Sequence, residues 1–163
     1  MWWSDRRAVL IAAGALALAG CGFTPVYAPG GGAGRLQGQI ALPAAETRDE
    51  FELRARLEER LGAAAAGRYT LAVDPSVRAE GLGTTRDGRT TRFQLVGRAD
   101  YTLSDAATGD ELASGRVDGF TGYSTTGSTV ATDAARRDAE TRLMVLLADG
   151  IVDRLLLAAA ELP

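Results

Sequence analysis

Apolar positions along this chain change period several times, and each change marks an element. From residue 35 to 42, Leu36, Gly38, Ile40 and Leu42 alternate with polar or small neighbours until Pro43 halts them, which predicts a first short strand. Thr47-Arg48-Asp49-Glu50 then fits a capping box, in which the threonine hydroxyl and the glutamate carboxylate accept hydrogen bonds from free amides at a helix start. Leu53, Leu57, Leu61 and Ala64 follow at four- and three-residue spacing, so a helix is expected over 48–65, with Glu50–Arg54 and Glu52–Arg56 as favourable pairs on its surface. Phe51 falls off that stripe. Tyr69, Leu71 and Val73 restore a period of two, and the second strand runs on through Val77 to Leu82; Pro75 inside it points to an edge or a bulge.

Arg86-Asp87-Gly88-Arg89 carries the Asp-Gly signal of a tight hairpin. The third strand is the clearest in the chain, with Phe93, Leu95, Gly97, Ala99, Tyr101 and Leu103 on a buried face and Arg92, Gln94, Val96, Arg98, Asp100 and Thr102 on a wetter one. In the fourth strand, over 111–123, alternation is blurred, and Gly115, Gly119 and Gly122 suggest bulges or close approach. A long helix over 130–160 shows an apolar stripe of Ala139, Leu143, Leu146, Leu147, Gly150, Ile151, Leu155 and Ala158, with Arg136, Arg137, Asp138, Glu140 and Arg142 facing away. Asp149, Asp153 and Arg154 interrupt its Leu-rich end, which favours packing on a sheet over burial in a bilayer. The order βαβββα predicts an α+β two-layer sandwich: one mixed four-stranded sheet with two helices packed on one face.

The first twenty residues follow a different logic. Arg6 and Arg7 precede an apolar run over 8–18 and a small-residue exit at Ala19 and Gly20, the layout of a secretory signal. That run is far short of the roughly 20 residues a helix needs to span a bilayer. Leu18-Ala19-Gly20-Cys21 resembles a lipobox, where a diacylglycerol is attached to the cysteine sulfur before cleavage in front of it. Cys21 is the only cysteine, so lipidation uses the only thiol and leaves none for a disulfide. Each buried acyl CH2 contributes about 0.8 kcal/mol, enough for two or three chains to hold the protein on a membrane. Gly22 after the cysteine, in place of Asp, resembles the pattern of lipoproteins passed to the outer membrane. The expected division is a signal peptide over 1–20, a lipidated cysteine and flexible Pro- and Gly-rich tether over 21–34, and a single domain over 35–163, the tether reaching about 45 Å at full extension.

Composition narrows the chemistry. The chain has no His, and its net charge of −3 does not suggest bulk nucleic-acid binding. All 18 basic residues are Arg, which suits phosphate recognition but equally fits a GC-rich coding sequence with abundant Ala and Gly. Without His, Lys or a free thiol there is no ordinary general base or nucleophile pair, so no enzymatic role, catalytic residue, metal or cofactor is expected. The glycine run at 30–34 lacks the Lys and hydroxyl of a phosphate loop, and Glu58-Glu59 sits on a charged helix face. Arg86, Arg89 and Arg92 around the hairpin tip, with Arg78 upstream, form the one cluster with functional promise, either gripping phosphate or simply keeping the tip soluble.

Cys21-Gly22-Phe23-Thr24-Pro25-Val26-Tyr27 resembles the Cys-Gly-Phe-x-Pro-Leu-Tyr opening of the LPS-assembly lipoprotein family LptE, with Val26 in place of Leu. The element order is similar too, as is Tyr123-Ser124 leading through a polar stretch into an Arg- and Glu-rich helix, as in alphaproteobacterial members. The resemblance implies an outer-membrane lipoprotein that sits in the lumen of the β-barrel LptD and helps pass lipopolysaccharide to the cell surface. It also implies that Arg86, before Asp87-Gly88, matches a basic position linked in the family to lipopolysaccharide contact. A second such position falls at Thr132, with Arg136 one turn later as the nearest substitute. Arg86, Arg89 and Arg92 would then compete with divalent cations for lipid A phosphates. The rival expectations are an auxiliary or lipid-binding lipoprotein of an envelope phospholipid transporter, and a structural envelope lipoprotein with no ligand.

Overall fold

The computed structural model describes residues 32–84, 88–159 and 162. The expected signal peptide, Cys21 and most of the tether lie outside the described residues, as do Arg86 and Asp87. The elements are α1 (Gly32–Leu36), β1 (Ile40–Ala41), α2 (Arg48–Leu61), β2 (Tyr69–Thr84), β3 (Thr90–Asp105), β4 (Glu111–Ser124) and α3 (Thr129–Ala158). Sheet order is β1-β2-β3-β4, with β1 parallel to β2 and the other pairs antiparallel, so the expected mixed four-stranded α+β sandwich is the fold observed.

The first strand needs correction. Instead of a strand over 35–42 there is a one-turn helix, a turn and a two-residue strand, and α1 begins inside the glycine run expected to belong to the tether. Gly38 explains the break: its φ of +69° ends any extended run, and its amide donates to the Leu61 carbonyl at 2.7 Å. Leu36 and Ile40 are both buried, so their spacing reflects two separate core contacts rather than one strand face.

The start of α2 carries the expected capping box. The Thr47 hydroxyl accepts from the Glu50 amide at 3.2 Å, and the Glu50 carboxylate accepts from the amides of Glu46 at 2.7 Å and Thr47 at 3.4 Å. The Glu46 amide is the main reason that carboxyl lies below its ordinary range. The helix stops at Leu61 rather than 65 because Gly62 turns to φ +83° and its amide caps the Glu58 carbonyl. With Glu50 taken by the cap, the pairs on α2 also shift from those expected: Arg54 meets Glu58 at 2.8 Å and Arg48 meets Glu52 at 3.8 Å. Phe51 is exposed, in keeping with its place off the stripe.

One continuous core joins the helices to one face of the sheet. From α2 come Leu53, Leu57 and Leu61; from α3, Ala139, Leu143, Met144, Leu147, Ala148, Ile151, Val152 and Leu155; from β3, Leu95, Ala99, Tyr101 and Leu103. Leu146, expected in the α3 stripe, is 50% exposed, and Met144, Ala148 and Val152 take the second side of the buried face. No helix among the described residues is long and apolar enough to cross a membrane.

Helix and sheet approach so closely that two positions have no room for a side chain. A Cβ on Gly97 of β3 would lie 2.8 Å from Leu143 Cδ2, and one on Gly150 of α3 would lie 2.7 Å from Val117 Cγ1. In β4, Gly115 is likewise an approach point, a Cβ there lying 2.7 Å from the Tyr101 hydroxyl, while Gly119 and Gly122 leave ordinary contact distance; none of the three is a bulge. Register runs unbroken from Arg92↔Ser124 to Leu103↔Ala113, and the only shift between β3 and β4 falls after it.

Asp149 ties the two long helices together. Arg56 donates from Nε to Oδ1 at 2.9 Å and from Nη2 to Oδ2 at 3.1 Å, while Arg60 Nη1 reaches Oδ1 at 2.6 Å. Partial burial pushes the Asp149 carboxyl up, but the two guanidinium groups outweigh this and hold it below its ordinary range. Pro75 settles the edge question. β1 pairs only with Tyr69 and Thr70, so β2 is an edge strand beyond them, and its register against β3 passes through Pro75↔Ala99 without a shift.

Candidate functional site

The face of the sheet away from the helices carries rows of side chains set by strand register. Crossing β2, β3 and β4 in order, the rows are Asp74–Asp100–Arg116, Ser76–Arg98–Asp118, Arg78–Val96–Phe120 and Glu80–Gln94–Gly122. The first two rows are laced by ion pairs: Arg116 Nε to Asp100 at 2.6 Å and Arg98 Nε to Asp118 at 3.1 Å. The Arg116–Asp100 bond answers the like-charge opposition of Asp74 and Asp100 across β2 and β3. These exposed pairs set pattern more than stability, since surface ion pairs contribute about 0–1 kcal/mol.

Further toward the β2–β3 turn exposed apolar side chains appear among the polar ones. Phe120 is 67% exposed and Leu82 59%, and Val96 stands beside Phe120 in the third row, opposite Arg78. Leu82 sits at an irregularity: Gly81 pairs with Phe93 and Gly83 with Arg92, so Leu82 is the extra residue of a bulge. Leu82, Arg92, Gln94, Phe120, Gly122 and Ser124 line an open trough of about 370 Å³, to which Phe93, Thr121 and Tyr123 also contribute. Behind it, on the helix side of β3 and β4, the rings of Phe93 and Tyr123 stack with centroids 5.5 Å apart and planes 15° apart. Ser124 and Thr125 fasten this end, their hydroxyls donating to the carbonyls of Thr91 at 3.1 Å and Thr90 at 3.2 Å.

The structure distributes the arginines singled out in the sequence unevenly. Arg92 is exposed on the trough, and it makes no ion pair or hydrogen bond to a described residue. Arg89 is exposed just beyond the turn and already engaged. Arg78 shares the face but stands opposite Val96, about 13 Å along the strand from Arg92, and bonds Glu80 at 2.8 Å. Arg136 belongs to α3, on the other side of the sheet, where Glu140 holds it at 2.8 Å; Thr132 is half-buried in the first turns of that helix. Arg89 and Arg92 thus share the turn end of β3, and neither Arg78 nor Arg136 joins them.

Sequence reasoning missed Leu82 and Phe120. The signal was present: Phe120 shares its side of β4 with Asp118 and Gly122, so the blurred alternation marked an apolar residue on the polar face. Among the described residues no polar or charged side chain is buried, and the trough lies open on the sheet face.

The family model of lipopolysaccharide-assembly LptE matches residues 37–155. The fold is similar to that of a protein from Caulobacter crescentus CB15 assigned as a lipoprotein, 28% identical, with a TM-score of 0.66 over 79% of this chain and 96% of that one. It is also similar to rare lipoprotein B from Shewanella oneidensis, at 14% identity and TM-score 0.55 over 76% and 94% of the two chains. A minor lipoprotein from Acinetobacter baumannii matches at 19% identity and TM-score 0.54 over 79% and 95%. No curated protein matches the chain by sequence.

Proposed function

Because the chain belongs to the LptE family of lipopolysaccharide-assembly lipoproteins, we propose that it acts at the outer membrane, seated in the lumen of an LptD-type β-barrel that it plugs and supports. The family match over 37–155 carries this reading. In it, residues 1–20 direct export, acyl chains on Cys21 anchor the protein on the periplasmic side, and the segment before α1 is a tether to the domain. The work is non-enzymatic and uses no cofactor: a stiff domain shapes the barrel, and arginines at the turn end of β3 meet lipid A phosphates. Arg92 is the described residue best placed for this, exposed and without a competing partner among the described residues, and Arg86 and Arg89 complete the proposed contact.

The deciding experiment is purification of the tagged, lipidated protein from its native envelope in mild detergent. A stoichiometric outer-membrane barrel is the expected companion. Copurification with an inner-membrane ATPase instead would move the protein to a phospholipid transporter, and reproducible absence of any barrel would remove the assembly role.

A further inference from the structure

We propose that a pocket between α2 and the β2 edge seats the apolar stretch 23–27 of this same chain, with Val26 inserted and Pro25 and Tyr27 at its rim. Two observations meet here. Phe23-Thr24-Pro25-Val26-Tyr27 carries three large apolar side chains that a tether does not need. Its proline fixes its own φ and biases Thr24 toward extended backbone, the form that lies along a strand edge. The domain offers a matching seat: Leu53 and Leu57 of α2, Leu71 and Val73 of β2, and Leu42 line a pocket of about 60 Å³. That is well under the roughly 300 Å³ of a small-molecule cleft and suits one aliphatic side chain.

The seat is formed in advance. Residues 42–45 make one side of it, and Arg54 holds them, its Nη1 donating to the Pro43 carbonyl at 2.9 Å while its Nε bonds Glu58 at 2.8 Å. Because β1 pairs only with Tyr69 and Thr70, the β2 edge beside Leu71 and Val73 is open to an extended segment as far as Pro75. Reach is sufficient. α1 begins at Gly32, Gly38 is bonded to the Leu61 carbonyl, and Leu57 lies one turn back along α2, about 6 Å away. From Val26 to Gly32 the chain can extend about 20 Å. A segment of the same chain is also present at high effective concentration, so one inserted side chain suffices where a separate partner would need more surface. With Val26 seated, the leash from Cys21 to the domain shortens from about 45 Å to about 18 Å, which keeps one side of the domain toward its anchor. The inference does not depend on the assembly reading above.

Photo-crosslinking of the full lipidated chain in its native envelope tests the assignment. Benzoylphenylalanine in place of Tyr27, followed by digestion and mass spectrometry, is expected to join the probe to peptides of the same molecule that contain residues 42–45 or 71–75. The same probe in place of Phe120, exposed on the opposite side of the sheet, is expected to give no such product. Val26→Asp puts a charge where the pocket is apolar and leaves every core residue in place; it is expected to lower the Tyr27 yield about tenfold. Capture of lipid, of a barrel protein or of a second copy at Tyr27, attachment elsewhere on the domain, no capture, or a yield unchanged by Val26→Asp would each overturn the proposal. Barrel copurification from the same strains judges the assembly reading separately.

Discussion

The two ends of the sheet are built on opposite terms. At the β1 end, α1, α2 and the C-terminal half of α3 close over the strands, and side chains such as Leu57, Leu71, Leu103 and Ile151 are fully buried. At the other end β2, β3 and β4 run on toward the β2–β3 turn, burial on β3 stops at Leu95, and the first turns of α3 are largely exposed. Hydrophobic burial holds the first end, while backbone ladders and a few hydroxyl-to-carbonyl bonds hold the second. The difference shows how one small domain divides its labour. Stability comes from one end, and the other is free to keep leucine, phenylalanine and an arginine without a partner among the described residues in water.

Substitutions test that division, the largest effects falling in the buried core. Leu143→Ala should destabilise the domain by about 3 kcal/mol in chemical denaturation, the cost of a cavity in a rigid core; a loss below 1 kcal/mol would mean the core is far looser than its packing suggests. Gly97→Ala should cost about 2 kcal/mol through collision with Leu143, and less in a Leu143→Ala background, so a double-mutant cycle should show strong coupling. Simple additivity would break the picture of helix and strand in direct contact.

Next in size is the helix clamp. Asp149→Asn should cost about 1–2 kcal/mol at neutral pH, after allowance for a carboxylate still partly in water. The Asp149 carboxyl is held below its ordinary value in the fold, so its contribution is present above the usual carboxylate range and is lost as pH falls through the lowered folded value. The gap between parent and Asp149→Asn should therefore close in acid, and a gap that widens would contradict the clamp. Thr47→Ala, removing the α2 cap, should cost about 1 kcal/mol. The smallest effects belong to the open end, where Phe120→Ser and Leu82→Ser should each stay within about 0.5 kcal/mol of the parent. A loss of core size at either position would erase the distinction between the ends.

The sequence made the packed end readable and the open end less so, for a physical reason. Burial imposes periodicity, so the β3 alternation, the α2 leucines and the Thr47–Glu50 cap all point to the elements found. The first strand misled because Gly38 breaks the chain direction with a positive φ that alternation does not register. The clamp of Arg56 and Arg60 on Asp149 was missed because Asp149 lies far along the chain, and local spacing carries no trace of it. At the open end nothing must be buried, so the pattern at Leu82 and Phe120 looked like noise. Arg78 and Arg92 are near in sequence terms to one turn, yet strand register sets them apart along the face.

Pro75 has a consequence for how copies of this chain meet one another. A sheet grows by adding strands at an edge, and each addition needs a run of free amides. On the β2 edge that run is interrupted, because proline has no amide to give and the unbroken β2–β3 register turns the gap outward. The β4 edge has no proline. There Arg142 Nη2 donates to the Gly122 carbonyl at 3.3 Å, so the two edges are guarded by different means. The same residue that marks an edge in the sequence thus withholds one of the amides that strand addition at the β2 edge would need.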